Sequence, residues 1–252
     1  MLKSRIITTM LWNGTTLVKG DQFNNSRRAG SPITTIKIYN KRDVDEIVFF
    51  DIDKTNSSEE KIDIEFYKEL TNECDVPITI GGGIKSINDI DDLLYSGADK
   101  IVINTELYTN ADLLNEASKR FGSQTIVAGI DFKKINGDYK CFKNSGREIV
   151  NKDPVKWACE CTERGAGEII LTSIDNDGLM KGYDNYMIKK IAPKIDVPII
   201  ASGGAGNYQH MYEALSFGAS AVAAASIFHF TEHTPAEAKK YLQSKNINVR
   251  KS

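Results

Sequence analysis

Cysteine and histidine are scarce in this chain of 252 residues, which has four of the first and three of the second. Cys159 and Cys161 stand two apart in a helical-looking stretch, where i and i+2 do not face each other. His210, His229 and His233 lie far from the cysteines in sequence, so the ligand spacing of a zinc site is missing and no metal or cofactor is expected. The cysteines read as free thiols of a cytoplasmic chain. Charge of one sign is also lacking: the formal net charge is −2, which gives no reason to expect nucleic acid or an anionic membrane as partner. No apolar run approaches the ~20 residues of a membrane span, and the N-terminus shows no apolar signal region. Linkers and low-complexity tracts are absent as well, so residues 1–252 are expected to form one domain.

What is present is a rhythm. Apolar, β-branched runs occur at Ile6–Leu11, Ile47–Ile52, Ile78–Ile80, Ile101–Ile103, Ile126–Ile130, Ile169–Leu171, Val197–Ala201 and Ala221–Ala225. They are continuous rather than alternating, as strands buried on both faces should be. Amphipathic segments such as Ser86–Ser96, Asp153–Arg164, Tyr183–Ile195 and Gln209–Phe217 separate them. Thr234-Pro-Ala-Glu237 adds a capping-box pattern opening a last helix. Eight strand–helix rounds in this length predict an α/β fold, a single (β/α)8 barrel.

The chain also repeats itself. Val76-Pro-Ile-Thr-Ile-Gly-Gly-Gly83 matches Val197-Pro-Ile-Ile-Ala-Ser-Gly-Gly204 at an offset of about 120, and Ile47–Asp53 matches Ile169–Asp175. Four strand pairs at nearly one offset predict two half-barrel repeats. Ile6–Leu11 and Ile126–Asp131 form one of these pairs, and there the carboxylate of Asp131 is answered by Leu11.

In such a barrel, function sits at the C-terminal ends of the strands. Gly81-Gly-Gly83 and Gly203-Gly204 end the third and seventh strands, followed by Asn104-Thr105 and Ala225-Ser226 at the ends of the fourth and eighth. Glycine lets backbone N–H groups approach an anion closely, and two matching cradles suit a long ligand with a phosphate at each end. The plainer alternative is a pair of tight turns. Asp51, Asp131 and Asp177 also stand at strand ends, and Asp131 is a candidate general acid or base, or an orienting acceptor. Lys19 lies with Arg27 in a stretch, Leu17–Pro32, that reads as a long loop able to close over a ligand. At the opposite ends of the strands, Arg5, Glu46, Lys100 and Glu168 precede four of the runs. On physics alone these two cations and two anions are a ring that plugs the barrel floor.

Phe121-Gly-Ser-Gln, Gly165-Ala-Gly-Glu-Ile-Ile-Leu-Thr-Ser-Ile174, Ile200-Ala-Ser-Gly-Gly-Ala-Gly206 and Ala225-Ser-Ile-Phe-His-Phe230 resemble the cyclase subunit of imidazole glycerol phosphate synthase, from histidine biosynthesis. The resemblance covers essentially the whole chain. It implies phosphates held by Gly83, Asn104, Thr105, Asp177, Gly178, Gly204, Ala225 and Ser226, with Lys19 and Asp131 in the catalytic centre. It implies a glutaminase partner docked at the barrel floor, in a heterodimer with Asp99 at the contact. Arg5, Glu46, Lys100 and Glu168 then become the gate of an ammonia channel rather than a plug. The family's cyclisation uses a second carboxylate on the first strand, at the place of Leu11. Losing one general acid/base group typically costs roughly 10²–10⁴-fold. Leu11-Trp-Asn-Gly, Val44-Asp-Glu-Ile-Val and Asp51-Ile-Asp53 resemble instead a paralogous group found with surface-sugar biosynthesis. That resemblance implies ammonia passed to a separate sugar amidotransferase that makes acetamidino sugars. The alternative is a working cyclase that makes imidazole glycerol phosphate, with Asp131 helped by Asp51 or Asp53. A non-catalytic scaffold and a related sugar-phosphate isomerase are the further readings.

Overall fold

The computed structural model describes residues 3–54 and 62–250. Eight parallel strands close into a barrel: β1 (Arg5–Trp12), β2 (Glu46–Asp51), β3 (Ile78–Gly81), β4 (Lys100–Ile103), β5 (Ile126–Ile135), β6 (Glu168–Ser173), β7 (Ile199–Ser202) and β8 (Ala221–Ala224). Each pairs with the next in sequence, and β8 returns to β1 with Arg5 opposite Ala221. The eight strands fall at the eight apolar runs read from the sequence.

Side chains alternate across a strand, so each run divides its apolar residues between two cores. Ile6 and Met10 of β1, Ile47 and Phe49 of β2, and Ile126, Ala128 and Ile130 of β5 point outward into the main cluster under the helices. Ile7, Val48, Val102, Val127, Ile170, Ile200, Ala221 and Ala223 point inward and form a second cluster within the barrel. Fully burying one such side chain contributes roughly 1.5–3 kcal/mol. Gly81 and Gly129 make room for this inner packing. A Cβ on Gly81 would stand 2.2 Å from a methyl of Val102, and one on Gly129 3.3 Å from its other methyl.

Helices α1 (Pro32–Lys41), α2 (Ile64–Asn72), α3 (Ile87–Tyr95), α4 (Asp112–Phe121), α5 (Pro154–Glu163), α6 (Asn185–Ile191), α7 (Tyr208–Ser216), α8 (Ser226–Phe230) and α9 (Pro235–Ser244) surround the barrel. Asp63, Ser86, Asp153, Asp184, Asn207 and Thr234 each accept a backbone N–H at their helix starts, satisfying donors the helix leaves free. At α9 the expected cap is joined by Tyr208. Thr234 accepts the Glu237 N–H at 3.2 Å, while the Glu237 carboxylate accepts the Tyr208 hydroxyl at 2.8 Å.

The two half-barrels are in register. Strands begin at 5 and 126, 46 and 168, 78 and 199, and 100 and 221, so the spacing stays between 121 and 122. The stretch Leu17–Pro32, read from the sequence as a long loop, is a β-hairpin instead. Leu17–Asp21 pairs with Asn24–Gly30 and continues from β1 through Leu11 opposite Val18. A second hairpin, Asp138–Lys143 with Glu148–Val150, extends β5 at the matching place in the other half. Both rise from the C-terminal ends of their strands, above the mouth. No helix among the described residues is long and apolar enough to cross a membrane.

Candidate functional site at the barrel mouth and floor

At the floor, the four charged residues expected there meet. Arg5 reaches Glu46 at 2.6 Å and Glu168 at 3.0 Å, and Lys100 reaches the same two carboxylates at 3.2 and 3.1 Å. Thr79 adds a hydroxyl to Glu46 at 2.8 Å. Burial would lower the Arg5 guanidinium, but Glu46 and Glu168 beside it outweigh burial and push it above its ordinary value. The result is a closed ring of alternating sign. Asp99 lies exposed on the same face, its carboxylate accepting the Ile78 N–H at 2.8 Å. Above the ring stands the inner apolar layer, and above that layer the mouth opens.

The mouth is a cavity of about 290 Å³. Asp131 enters it from β5, where Asn104 donates an N–H to its carboxylate at 2.8 Å and Thr172 supplies a further hydrogen bond. Burial, reinforced by Asp177, outweighs these bonds and pushes the Asp131 carboxyl up to about 7. Such a group can hold or release a proton near neutrality. Asn104 thus directs its side-chain amide toward Asp131. Its Oδ1 is buried without a partner.

Four strands round the barrel from Asp131, the matching place belongs to Leu11. It lines the cavity with Val18 and Phe50, its neighbours in the sheet register. Asp51, considered from the sequence as a substitute partner, lines the cavity but is already engaged. It accepts the Tyr67 hydroxyl at 2.9 Å and the backbone N–H groups of Asp53 and Lys54 at 3.2 and 3.1 Å.

Lys19 was expected in a mobile loop, yet it is 4% exposed, on the first strand of the hairpin. Its ammonium pairs with Asp177 and donates to the Gly20 carbonyl. Burial raises the Asp177 carboxyl, with Lys19 acting against it. The two glycine cradles are both formed. Gly82, Gly83, Asn104 and Thr105 line one end of the main cavity. Gly178, Gly203, Gly204, Ala225 and Ser226 surround a smaller recess beside Lys19 and Asp177, of about 20 Å³. At Gly204 φ is +111°, and a Cβ would stand 2.1 Å from the Gly182 carbonyl oxygen, so only glycine fits.

Against this geometry, comparison with known proteins adds the lineage. The model of the histidine biosynthesis protein family matches residues 6–234. The chain belongs to that family. It is HisF-like: an imidazole glycerol phosphate synthase subunit HisF from Chloroherpeton thalassium is 43% identical over 251 residues, covering 99% of this chain and 100% of the relative. The HisF subunit of Thermococcus onnurineus is 44% identical with 99% of both chains covered. A Campylobacter jejuni relative with the provisional designation of imidazole glycerol phosphate synthase subunit hisF2 is 43% identical, again over 99% of both.

Some residues of this HisF-like mouth were not singled out from the sequence. Thr172 stands one residue before the end of β6, where the strand-end rule marks it. Ser145 and Arg147 reach the cavity from the second hairpin, which went unread. His229 lies beneath the mouth, joining the Thr9 carbonyl through Nε2 at 3.1 Å and the Tyr39 hydroxyl through Nδ1 at 2.9 Å. Burial, the largest cause, lowers its imidazole to about 4. The neutral ring then donates to Thr9 and accepts from Tyr39, tying α8 to β1 and α1. The cysteines are free, and no cluster of metal-ligating residues occurs among the described residues.

Proposed function

We propose that this chain is the synthase-type barrel of a glutamine amidotransferase. A glutaminase docks at the face of the Arg5–Glu46–Lys100–Glu168 ring, in a heterodimer with Asp99 at the contact. Ammonia enters there, rises through the apolar lumen and reaches a mouth that holds a phosphorylated small molecule on its two cradles. It is then passed to a separate sugar amidotransferase, which forms acetamidino groups for surface glycans. One observation carries this reading: the ring is complete while the first-strand partner of Asp131 is Leu11. Closing an imidazole ring around added nitrogen, with a C–N bond broken to release the second product, requires protons to leave one atom and arrive at another. Asp51 and Asp177 line the same cavity but are engaged by Tyr67 and Lys19, so Asp131, with leucine at its counterpart, serves one of those transfers at a time.

A second reading has its own support. Asp131 titrating near neutrality, the Lys19–Asp177 pair and both cradles are the equipment of a working cyclase of histidine biosynthesis. That enzyme would make imidazole glycerol phosphate and aminoimidazole carboxamide ribotide. The deciding assay is turnover of the bisphosphate ribonucleotide intermediate by the chain with added ammonium, alongside glutaminase activity of the complex. The first reading expects glutaminase stimulation with cyclase turnover roughly 10²-fold or more below that of a HisF with both carboxylates. Turnover at the full rate, with growth restored to a histidine auxotroph, would establish the second.

A further inference from the structure

We infer that Arg147 binds the phosphate seated at the first glycine cradle, as a ligand-contacting residue supplied by the second hairpin. This rests on the reading that a phosphorylated small molecule occupies the mouth. It assigns to the residue a role that sets how many phosphates the ligand carries.

The two ends of the mouth are unequal. At the second cradle a buried cation is built in, since Lys19 stands beside Gly178, Gly204 and Ser226. The first cradle, Gly82-Gly83 with Thr105, has none of its own on the barrel strands. The cations that line the cavity at that end are Lys85 and Arg147, with Glu106 as the carboxylate beside them. Backbone amides alone bind a dianion less well than amides joined by a guanidinium, which presents a planar fork to two phosphate oxygens.

The chain spends conformational energy to bring Arg147 there. Asn144, Ser145 and Gly146 have φ of +52°, +54° and +77°, three successive residues in the left-handed region. Two of them are not glycine, and side chains rarely adopt this conformation, the kind of strain that gathers at ligand clamps. Gly146 is required by space as well, since a Cβ would stand 2.8 Å from the ring of Phe23 on the first hairpin and 3.3 Å from Ile174. The turn is pinned to the cradle itself: the Asn144 N–H donates to the Thr105 hydroxyl oxygen at 3.0 Å. Glu148, on the far side of the turn, pairs with Lys143 at 3.2 Å and accepts from the Asn144 side-chain amide, which holds the turn in shape. Ser145 and Arg147 therefore arrive at the cavity together, one with a hydroxyl and one with a charge.

Calorimetric titration of the full chain with ribulose bisphosphate as the probe tests this. Arg147→Ala is expected to weaken binding roughly tenfold, Arg147→Lys to lose less, and the difference to shrink as salt rises. Because Arg147 is exposed, the melting temperature should not move. Unchanged affinity in Arg147→Ala, or an equal and salt-insensitive loss in both variants, would overturn the assignment to Arg147 alone. Failure of the unaltered chain to bind the probe would overturn the reading of a phosphorylated ligand, and this inference with it.

Discussion

Asp131 and Leu11 occupy equivalent places in the two half-barrels, and their chemistry has diverged completely. Asp131 is held at about 7 by burial, so its ionised form is costly to the fold. Asp131→Asn keeps an oxygen to accept the Asn104 N–H and removes that cost. It should therefore stabilise the chain by on the order of a few kcal/mol at about pH 8, where the carboxylate would be charged, and do little at about pH 4. Urea denaturation at the two pH values measures the difference, and equal shifts at both would contradict it. Leu11→Asp restores a carboxylate across the mouth, among Val18 and Phe50. If the broken pair is what limits cyclisation, this single change should raise ammonium-dependent turnover roughly 10²-fold. A variant that folds, binds ligand and gains nothing would assign the deficit elsewhere. The leucine was legible from sequence because the repeat supplied its counterpart, whereas the engagement of Asp51 by Tyr67 was not, since Tyr67 comes from a helix that no motif marks.

Among elements, the strands were legible and the hairpins were not, for different reasons at the two sites. Asn24–Gly30 is polar and mostly exposed, so it shows no alternation, and its turn at Gln22-Phe23 reaches φ of +52° and +63° without a glycine. Pairing to the neighbouring strand and packing on the mouth override weak local preference there. The second hairpin did announce itself: Asn136-Gly137, the strongest short signal for a two-residue turn, lies between Ile135 and Asp138, which pair. The floor ring was legible as a set of charges, and its geometry shows why each member depends on the others. Each carboxylate faces both cations, so Lys100→Met would leave Glu46 and Glu168 with Arg5 between them. A loss of roughly 2–4 kcal/mol in unfolding free energy is expected. Adding Glu168→Gln should recover part of it, because the ring then again holds one cation and one anion. A double-mutant cycle showing simple additivity would mean that the four do not act as a unit.

At the scale of the whole molecule, two perturbed groups, Asp131 in the mouth and His229 held against Thr9 of β1, shape stability against pH in opposite directions. Between the ordinary carboxylate value of 3.8 and about 7, the folded chain keeps a proton on Asp131 that the unfolded chain releases, so stability falls as pH rises. For His229, between about 4 and the ordinary value of 6.5, the unfolded chain takes up a proton that the folded chain refuses. There stability falls as pH drops, with a slope of about 1.4 kcal/mol per pH unit for one proton. The two windows overlap over most of their width, so these two contributions oppose each other from about pH 4 to about pH 6.5. Asp131→Asn removes one slope and leaves the other. Relative to the unaltered chain, its stability should climb with pH across that interval, by on the order of 3 kcal/mol in all. A difference between variant and unaltered chain that stays constant across the interval would mean that the fold does not hold a proton on Asp131.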